Sequence, residues 1–379
     1  MKKILFVASS PAMSSYTAGF LQSLAFSKLI NPIVLIFLEH DDNRANEEIY
    51  ASYGLENIDL SNIYIYKYPK NKLFIHVFYF KNIIKVKEVA NTTQCSIIHF
   101  LTQDTFLAYH LNLFKGNDTY YTVHDLEEHT AAVGKLGKIK RFLFLTMKDQ
   151  WVIKNVDRLV TSSQHQFISL KSMFPYKKVF QHNMPSLVTP AIIRGTEEVP
   201  ELIGINNYVL FFGRIEAYKG IENLYNVFLK YRNKLHIKLV IAGKGSIYFK
   251  RHLAAEENII FINRFIRESE MNSLFNKAKI VVLPYTSATQ SAVTSFSYHY
   301  VKPMIVSDLE GLRDTAINFE TALLFNADKK EDLLEKLINL LADEKLYNYM
   351  CECIAKEKDN VYGSELLRNQ IENIYLNNR

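Results

Sequence analysis

Short apolar runs bounded by turn residues alternate with longer stretches of helical period, and the alternation occurs twice along the 379 residues. A chain patterned this way builds parallel βαβ units, because strands covered on both faces read as continuous apolar runs joined by helices. In the first half, strands are expected near 4–8, 33–38, 63–66, 97–101, 120–123 and 159–161, with helices such as 17–30 and 104–115. The second set has strands near 208–212, 237–241, 259–261, 280–283 and 303–306, with helices near 220–232, 269–278 and 290–301. Between them, Pro185, Pro190 and Pro200 punctuate a stretch without period, which reads as a linker. The expected fold class is therefore α/β, with two Rossmann-like, doubly wound parallel-sheet domains over 1–188 and 189–360 and a terminal helix in 361–379.

Apolar residues at 48% and charged residues at 22% can cover a packed interior with a solvated surface, which excludes a disordered or collagen-like chain. Three cysteines, Cys95, Cys351 and Cys353, form neither a disulfide framework nor a C-x-x-C pair, so a cytoplasmic setting is expected. The apolar run at 4–8 is shorter than a signal-peptide core, and about 18 apolar residues nowhere stand together. The net charge of +6 lies wholly in residues 1–185, where 21 Lys and Arg face 15 Asp and Glu; residues 186–379 hold 24 of each.

Open α/β sheets bind ligands beyond the carboxyl ends of their strands, so two facing sheets would form a cleft for two substrates, and residues at strand ends carry the functional reading. The strand at 208–212 runs into Gly213, Arg214 and, five residues on, Lys219-Gly220. Gly213 lets backbone approach a ligand, Arg214 can fork onto two phosphate oxygens, and Lys219 adds a compact charge, a set suited to a diphosphate. A second segment, from Tyr285 through Thr289, Gln290, Ser291, Ala292 and Val293, places small and hydroxylated residues before a helix whose free amides favour an anion. Alone, either segment is also what a solvated loop or an ordinary N-cap looks like. Upstream, the strand at 120–123 ends in His124 and Asp125, candidates for contact with a sugar and for orienting a ring nitrogen or taking an acceptor proton. Glu127, Glu128 and His129 read as a solvated loop, and His-Asp-x2-Glu-x-His lacks the one-face geometry of a helical metal site. The first loop, 8–19, has one glycine and so is no dinucleotide fingerprint.

In their order and spacing, several segments resemble retaining glycosyltransferases of the GT-B architecture, close to glycosyltransferase family 4. They are the turn at 213–220, Ile-Ala-Gly-Lys-Gly ending at Gly245, Phe-Ile-Asn-Arg-Phe ending at Phe265, Val-Leu-Pro-Tyr ending at Tyr285, Lys302-Pro303 through Asp308, and Ala-Leu-Leu-Phe ending at Phe325. The resemblance implies that Arg214 and Lys219 bind the donor diphosphate, that Gly213 and Gly243 lie at the donor, and that backbone about Arg264 and Phe265 holds the nucleobase. It also implies a donor-sugar contact for His124, a place for Ser14 and Ser15 near the diphosphate, and a terminal helix that crosses back to the first domain. Two glutamates common in the family are absent: Ala288 and Phe296 stand there, and Glu310 replaces a common glycine.

The implied activity is transfer of a sugar from a nucleotide-diphosphate donor to a hydroxyl of a lipid-linked glycan, with retention, in bacterial surface polysaccharide (capsule or lipopolysaccharide) biosynthesis. No metal and no cofactor are implied beyond the nucleotide sugar as co-substrate. A non-hydrolysing nucleotide-sugar epimerase and a catalytically silent nucleotide-binding subunit are the alternatives. Residues 135–178 hold ten basic residues against Asp149 and Asp157. Within 135–158, Phe142, Leu143, Phe144, Leu145, Met147 and Trp151 interleave with them, which suits either peripheral contact with an anionic membrane at its inner face or a core helix with a basic outer side. No nucleic-acid module is recognisable.

Overall fold

The computed structural model describes residues 1–68, 75–102, 107–126, 147–329 and 331–376. Among them are two sheets, both parallel throughout. The first comprises β1 (Lys2–Ala8), β2 (Ile30–Leu38), β3 (Ile63–Lys67), β4 (Ile97–Phe100), β5 (Asp118–Thr122), β6 (Arg158–Thr161) and β7 (Lys178–Gln181), in the order β3-β2-β1-β4-β5-β6-β7. The second comprises β8 (Tyr208–Phe212), β9 (Lys238–Ala242), β10 (Ile259–Ile262), β11 (Ala278–Leu283), β12 (Met304–Ser307) and β13 (Ala322–Phe325), in the order β10-β9-β8-β11-β12-β13. Each order reverses once, between β1 and β4 and between β8 and β11, where an open α/β sheet takes its ligand.

The described residues divide into two compact units: those up to 126 and 147–190 joined by 362–376, and those from 191 to 361. In the first unit, the period of two sends alternate residues of β1 to opposite faces. Leu5 and Val7 meet one core with Ile33, Leu35, Phe37 and Phe100, whereas Ile4, Phe6 and Ala8 meet the other. That second core is closed by two helices distant in sequence. Ser14–Leu24 brings Phe20, Leu21 and Leu24, and Ser364–Leu376 brings Leu367, Ile371, Ile374 and Tyr375. The terminal helix is thus part of the first unit's interior. The chain segment leaving this unit crosses the first helix at Gly19, where a Cβ would stand 2.1 Å from the Ser186 carbonyl oxygen, so only a bare backbone fits.

The structure departs from the sequence reading in several places. Strands β7 and β13 were not anticipated, and the helix expected over 104–115 is described as a helical turn Leu107–His110 and a 3-10 turn Leu111–Phe114. The helix expected over 290–301 spans Val293–His299. The first part of the basic segment, with Lys135, Lys138, Lys140 and Arg141, and with it Glu127, Glu128 and His129, lies outside the described residues. Among the described residues no helix is long and apolar enough to cross a membrane.

Because Ile371 is fully buried, truncating it removes apolar contacts and leaves a cavity. Ile371→Ala is expected to lower the unfolding free energy by about 2–5 kcal/mol in urea titrations at constant m-value. A loss below about 1 kcal/mol would show that the terminal helix does not stabilise this unit.

Candidate functional site

Around the reversal of the second sheet, two loops are pressed together. The turn after β8 passes Gly213, whose φ is +138°, and ends at Gly220, whose φ is +62°. A Cβ on Gly220 would lie 1.7 Å from the Pro284 carbonyl oxygen, in the loop after β11. The Thr286 amide donates to the Tyr218 carbonyl at 2.8 Å, tying the loops again. On the other side, Gly243 has φ +145°, and a Cβ there would meet the Gly213 carbonyl oxygen at 1.9 Å. Glycine is required at 220 and 243 by both conformation and space.

Lys219 sits where these loops meet. Its Nζ lies 3.7 Å from the centre of the Tyr285 ring and 5.0 Å from that of Tyr218. Burial opposes its charge, but the two tyrosines outweigh it, so the pKa lies above the ordinary lysine value and the ammonium stays charged. Tyr285 is fully buried, and its hydroxyl is 3.2 Å from Ser291 Oγ. Ser291 in turn accepts from the Val293 amide at 3.3 Å, and its carbonyl accepts from Thr294 Oγ1 at 2.7 Å. Ala292 precedes the helix Val293–His299. Arg214 projects outward, its side chain 72% exposed, with Nη1 3.2 Å from Glu216. Ala288 and Thr289 pack on Gly311, whose Cβ would be 2.4 Å and 2.5 Å from their carbonyl oxygens.

Phe296, at a position the family fills with glutamate, is buried against Phe212 and Phe275 at ring separations of 5.8 and 5.3 Å. A carboxylate there would be desolvated among rings. Arg264 is engaged by two carboxylates, with bonds of 2.8 Å to each oxygen of Glu201 and of Glu270. Burial would raise the pKa of Glu270, but Arg264 and Arg267 bring it down to about 2. The Arg264 guanidinium therefore holds the loop after β10 in place, and this loop exposes the large apolar side chain of Phe265. Gln290 lies between Thr289 and the Tyr285-bonded Ser291.

At the reversal of the first sheet, Thr102 Oγ1 accepts from the Ser9 and Ser10 amides at 2.8 and 3.1 Å. Ser14 and Ser15 open the following helix, and Tyr16, next in sequence, packs edge-on against His124 at 4.5 Å. His124 Nε2 donates to the Leu101 carbonyl at 2.8 Å, leaving Nδ1 as the acceptor, and burial keeps its pKa below the usual value. Gln166 Nε2 donates to the His124 carbonyl at 2.6 Å. Asp125 follows in an exposed position. Among the described residues no group of three or more His, Cys, Asp or Glu is placed to hold a metal ion.

Beneath His124 runs a buried chain that sequence reasoning did not foresee. The Asn183 carbonyl can only accept, so His182 Nδ1 donates to it at 2.6 Å and Nε2 must accept from the Tyr16 hydroxyl at 3.2 Å. Thr122 is also bonded to Tyr16 and therefore donates to it, so Thr122 accepts from His99 Nε2 at 2.9 Å. His99 Nδ1 is left to accept from Tyr375, on the terminal helix. Burial holds His182 down to about 4 and His99 well below its ordinary value, so both rings are neutral.

Two sheets with these loops at their reversals define the GT-B class of two-domain α/β proteins. Residues 197–356, which lie within the second unit, match the family model described as Glycosyl transferases group 1. The capsular polysaccharide biosynthesis glycosyltransferase CapM of Staphylococcus aureus is 24% identical over 186 residues, 47% of this chain and 48% of CapM, so the match spans about half the length of that relative. The sucrose-phosphate synthase of Thermosynechococcus elongatus superposes with a TM-score of 0.71 at 14% identity, covering 99% of this chain and 98% of that one. Anabaena Alr3699/HepE in complex with UDP-glucose superposes with a TM-score of 0.69 at 13% identity, covering 98% of each chain.

The proton order of the buried chain is testable. In long-range 1H–15N spectra of histidine-labelled protein at neutral pH, His182 is expected to carry its proton on Nδ1, and His99 and His124 on Nε2. A His182 proton on Nε2 would contradict the order. Unfolded histidine takes up its proton below about 6.5 and His182 only near 4, so this stabilisation is complete above pH 6.5 and declines as pH falls through that window. Melting temperatures are expected to fall there, and less steeply in His182→Gln.

Proposed function

We propose that the chain is a retaining, metal-independent glycosyltransferase that moves a sugar from a nucleotide-diphosphate donor to a hydroxyl of a lipid-linked glycan. The observation that carries the reading is the Lys219 ammonium, held charged between the loops that follow β8 and β11, with exposed Arg214 five residues before it. Cations at a sheet reversal suit a pyrophosphate, whose negative charge grows as it leaves the sugar. The group 1 domain and the fold shared with a UDP-glucose complex support a nucleotide-sugar donor. Likeness to CapM supports a product in bacterial surface polysaccharide synthesis.

In the proposed mechanism the incoming hydroxyl attacks from the face the diphosphate leaves, so configuration at the anomeric carbon is retained. The bond from that carbon to the diphosphate oxygen breaks as the bond to the acceptor oxygen forms, and the acceptor proton passes to the departing diphosphate. Lys219 and Arg214 stabilise the charge, and no side chain acts as nucleophile. His124, with Nδ1 free of the Leu101 bond, accepts a hydrogen bond from a donor-sugar hydroxyl. Phe265 and the backbone about it take the nucleobase. Amides and side chains of the segment at 289–293 supply contacts that the absent glutamates make elsewhere. The basic segment over 135–158 docks the protein on an anionic membrane at its inner face, where a lipid-linked acceptor resides.

Thermal-shift screening with UDP, GDP, CMP and dTDP sugars identifies the donor, and transfer to a lipid extract is then measured. Lys219→Met and Arg214→Ala are each expected to lower kcat by on the order of 10²-fold. Wild-type transfer rates in both variants would overturn the assignment of the cations. Conversion of donor to a second sugar nucleotide without acceptor would make the protein an epimerase instead.

A further inference from the structure

The aromatic seat of Lys219 has a role of its own. A lysine on a surface turn ordinarily samples many rotamers, and fixing it on a ligand costs side-chain entropy at the moment of binding. Here the Nζ lies over the face of Tyr285 at 3.7 Å, with Tyr218 at 5.0 Å on the same turn. The ring of Tyr285 is itself immobile, being fully buried and in contact with Ser291 through its hydroxyl. The turn is fixed independently, because Gly220 abuts the Pro284 carbonyl and Tyr218 accepts from Thr286. Backbone and ring therefore both define where the ammonium stands before any ligand arrives.

The ring face attracts the cation, and the hydroxyls of Tyr285 and Tyr218 also bond to the ammonium, but neither neutral tyrosine cancels its positive charge toward an anion. A carboxylate in the same place would neutralise Lys219 and compete with a diphosphate. The tyrosines thus hold the charge in position without consuming it, which separates Lys219 from Arg214, paired with Glu216 at 3.2 Å.

We propose that Tyr285 is a positioning residue whose ring face pre-orients the Lys219 ammonium for the diphosphate, with Tyr218 as the second wall. This rests on the assignment of Lys219 to the diphosphate, and the test keeps the two apart. Inorganic pyrophosphate is the probe, its affinity measured by titration calorimetry on the full chain. Tyr285→Leu removes the ring face and is expected to weaken pyrophosphate about tenfold, whereas Tyr285→Phe keeps the face and is expected to stay within about twofold of wild type. In a Lys219→Met background, Tyr285→Leu is expected to have no further effect, because its only route to the ligand is gone.

If Lys219→Met binds pyrophosphate as tightly as wild type, the diphosphate assignment itself fails. If Lys219→Met weakens binding but Tyr285→Leu does not, or weakens it equally in both backgrounds, the positioning role is overturned while the assignment stands. Equal losses in Tyr285→Phe and Tyr285→Leu would assign the effect to the hydroxyl and overturn the role of the ring. Should Tyr285→Leu not fold, the wild-type spectrum decides: ring current is expected to shift the Lys219 Hε protons upfield, and ordinary lysine shifts would contradict the seat.

Discussion

The candidate site depends on backbone lying directly against backbone. At Gly220 the Pro284 carbonyl occupies the space of a side chain, and at Gly243 the Gly213 carbonyl does the same. These two contacts draw the loops after β8, β9 and β11 into one layer at the carboxyl end of the sheet, on both sides of the strand where the order reverses. Arg214, Lys219 and the segment from Tyr285 to Ser291 stand on that layer. Lys219 takes its place from the turn ending in Gly220, and Tyr285 takes its place from the loop that Gly220 touches. A methyl group at either glycine would stand within 2 Å of a carbonyl oxygen and push the loops apart, and the left-handed φ values would add strain.

The first unit solves the same problem with side chains. Its reversal, between β1 and β4, is spanned by Thr102, which accepts two amides from the loop after β1, and by His124, which donates to Leu101. Behind His124 the chain of Tyr375, His99, Thr122, Tyr16 and His182 has every donor matched to an acceptor, so neutral histidines are buried at little cost. The terminal helix closes the other end as well: Gln370 accepts from the Asn183 amide at 2.7 Å and donates to its side chain at 3.0 Å. A segment more than 150 residues from the rest of this unit therefore anchors both ends of the polar interior.

Much of the fold was legible because parallel strands buried on both faces must be apolar throughout, as in Leu5 to Ala8 and Tyr208 to Phe211. Of the two unread strands, both at sheet edges, β7 is Lys-Val-Phe-Gln, with an exposed first residue and two half-buried ones at its end, so that constraint relaxes there; β13 is apolar and mostly buried, and only its shortness, four residues, hid it. The positions of Gly213 and Lys219 after β8 were legible because glycine and charge at a strand end carry a local signal, whereas that of Gly243 came with the resemblance. Arg264 was not separable from its neighbours by sequence, since its partners Glu201 and Glu270 lie at different distances along the chain and only folding joins them. The histidine chain was opaque for the same reason. His99, His124 and His182 come from three different strands or their ends, and His182 follows the strand that the pattern did not show.

The proposed function rests on a diphosphate being held at the reversal of the second sheet by Lys219 and Arg214. A crystal structure with the nucleoside diphosphate of the identified donor tests it most directly. The account predicts phosphate oxygens within hydrogen-bond distance of Lys219 Nζ, with Arg214 turned from Glu216 toward them. Nucleotide bound elsewhere, with both side chains directed into bulk solvent, would contradict it.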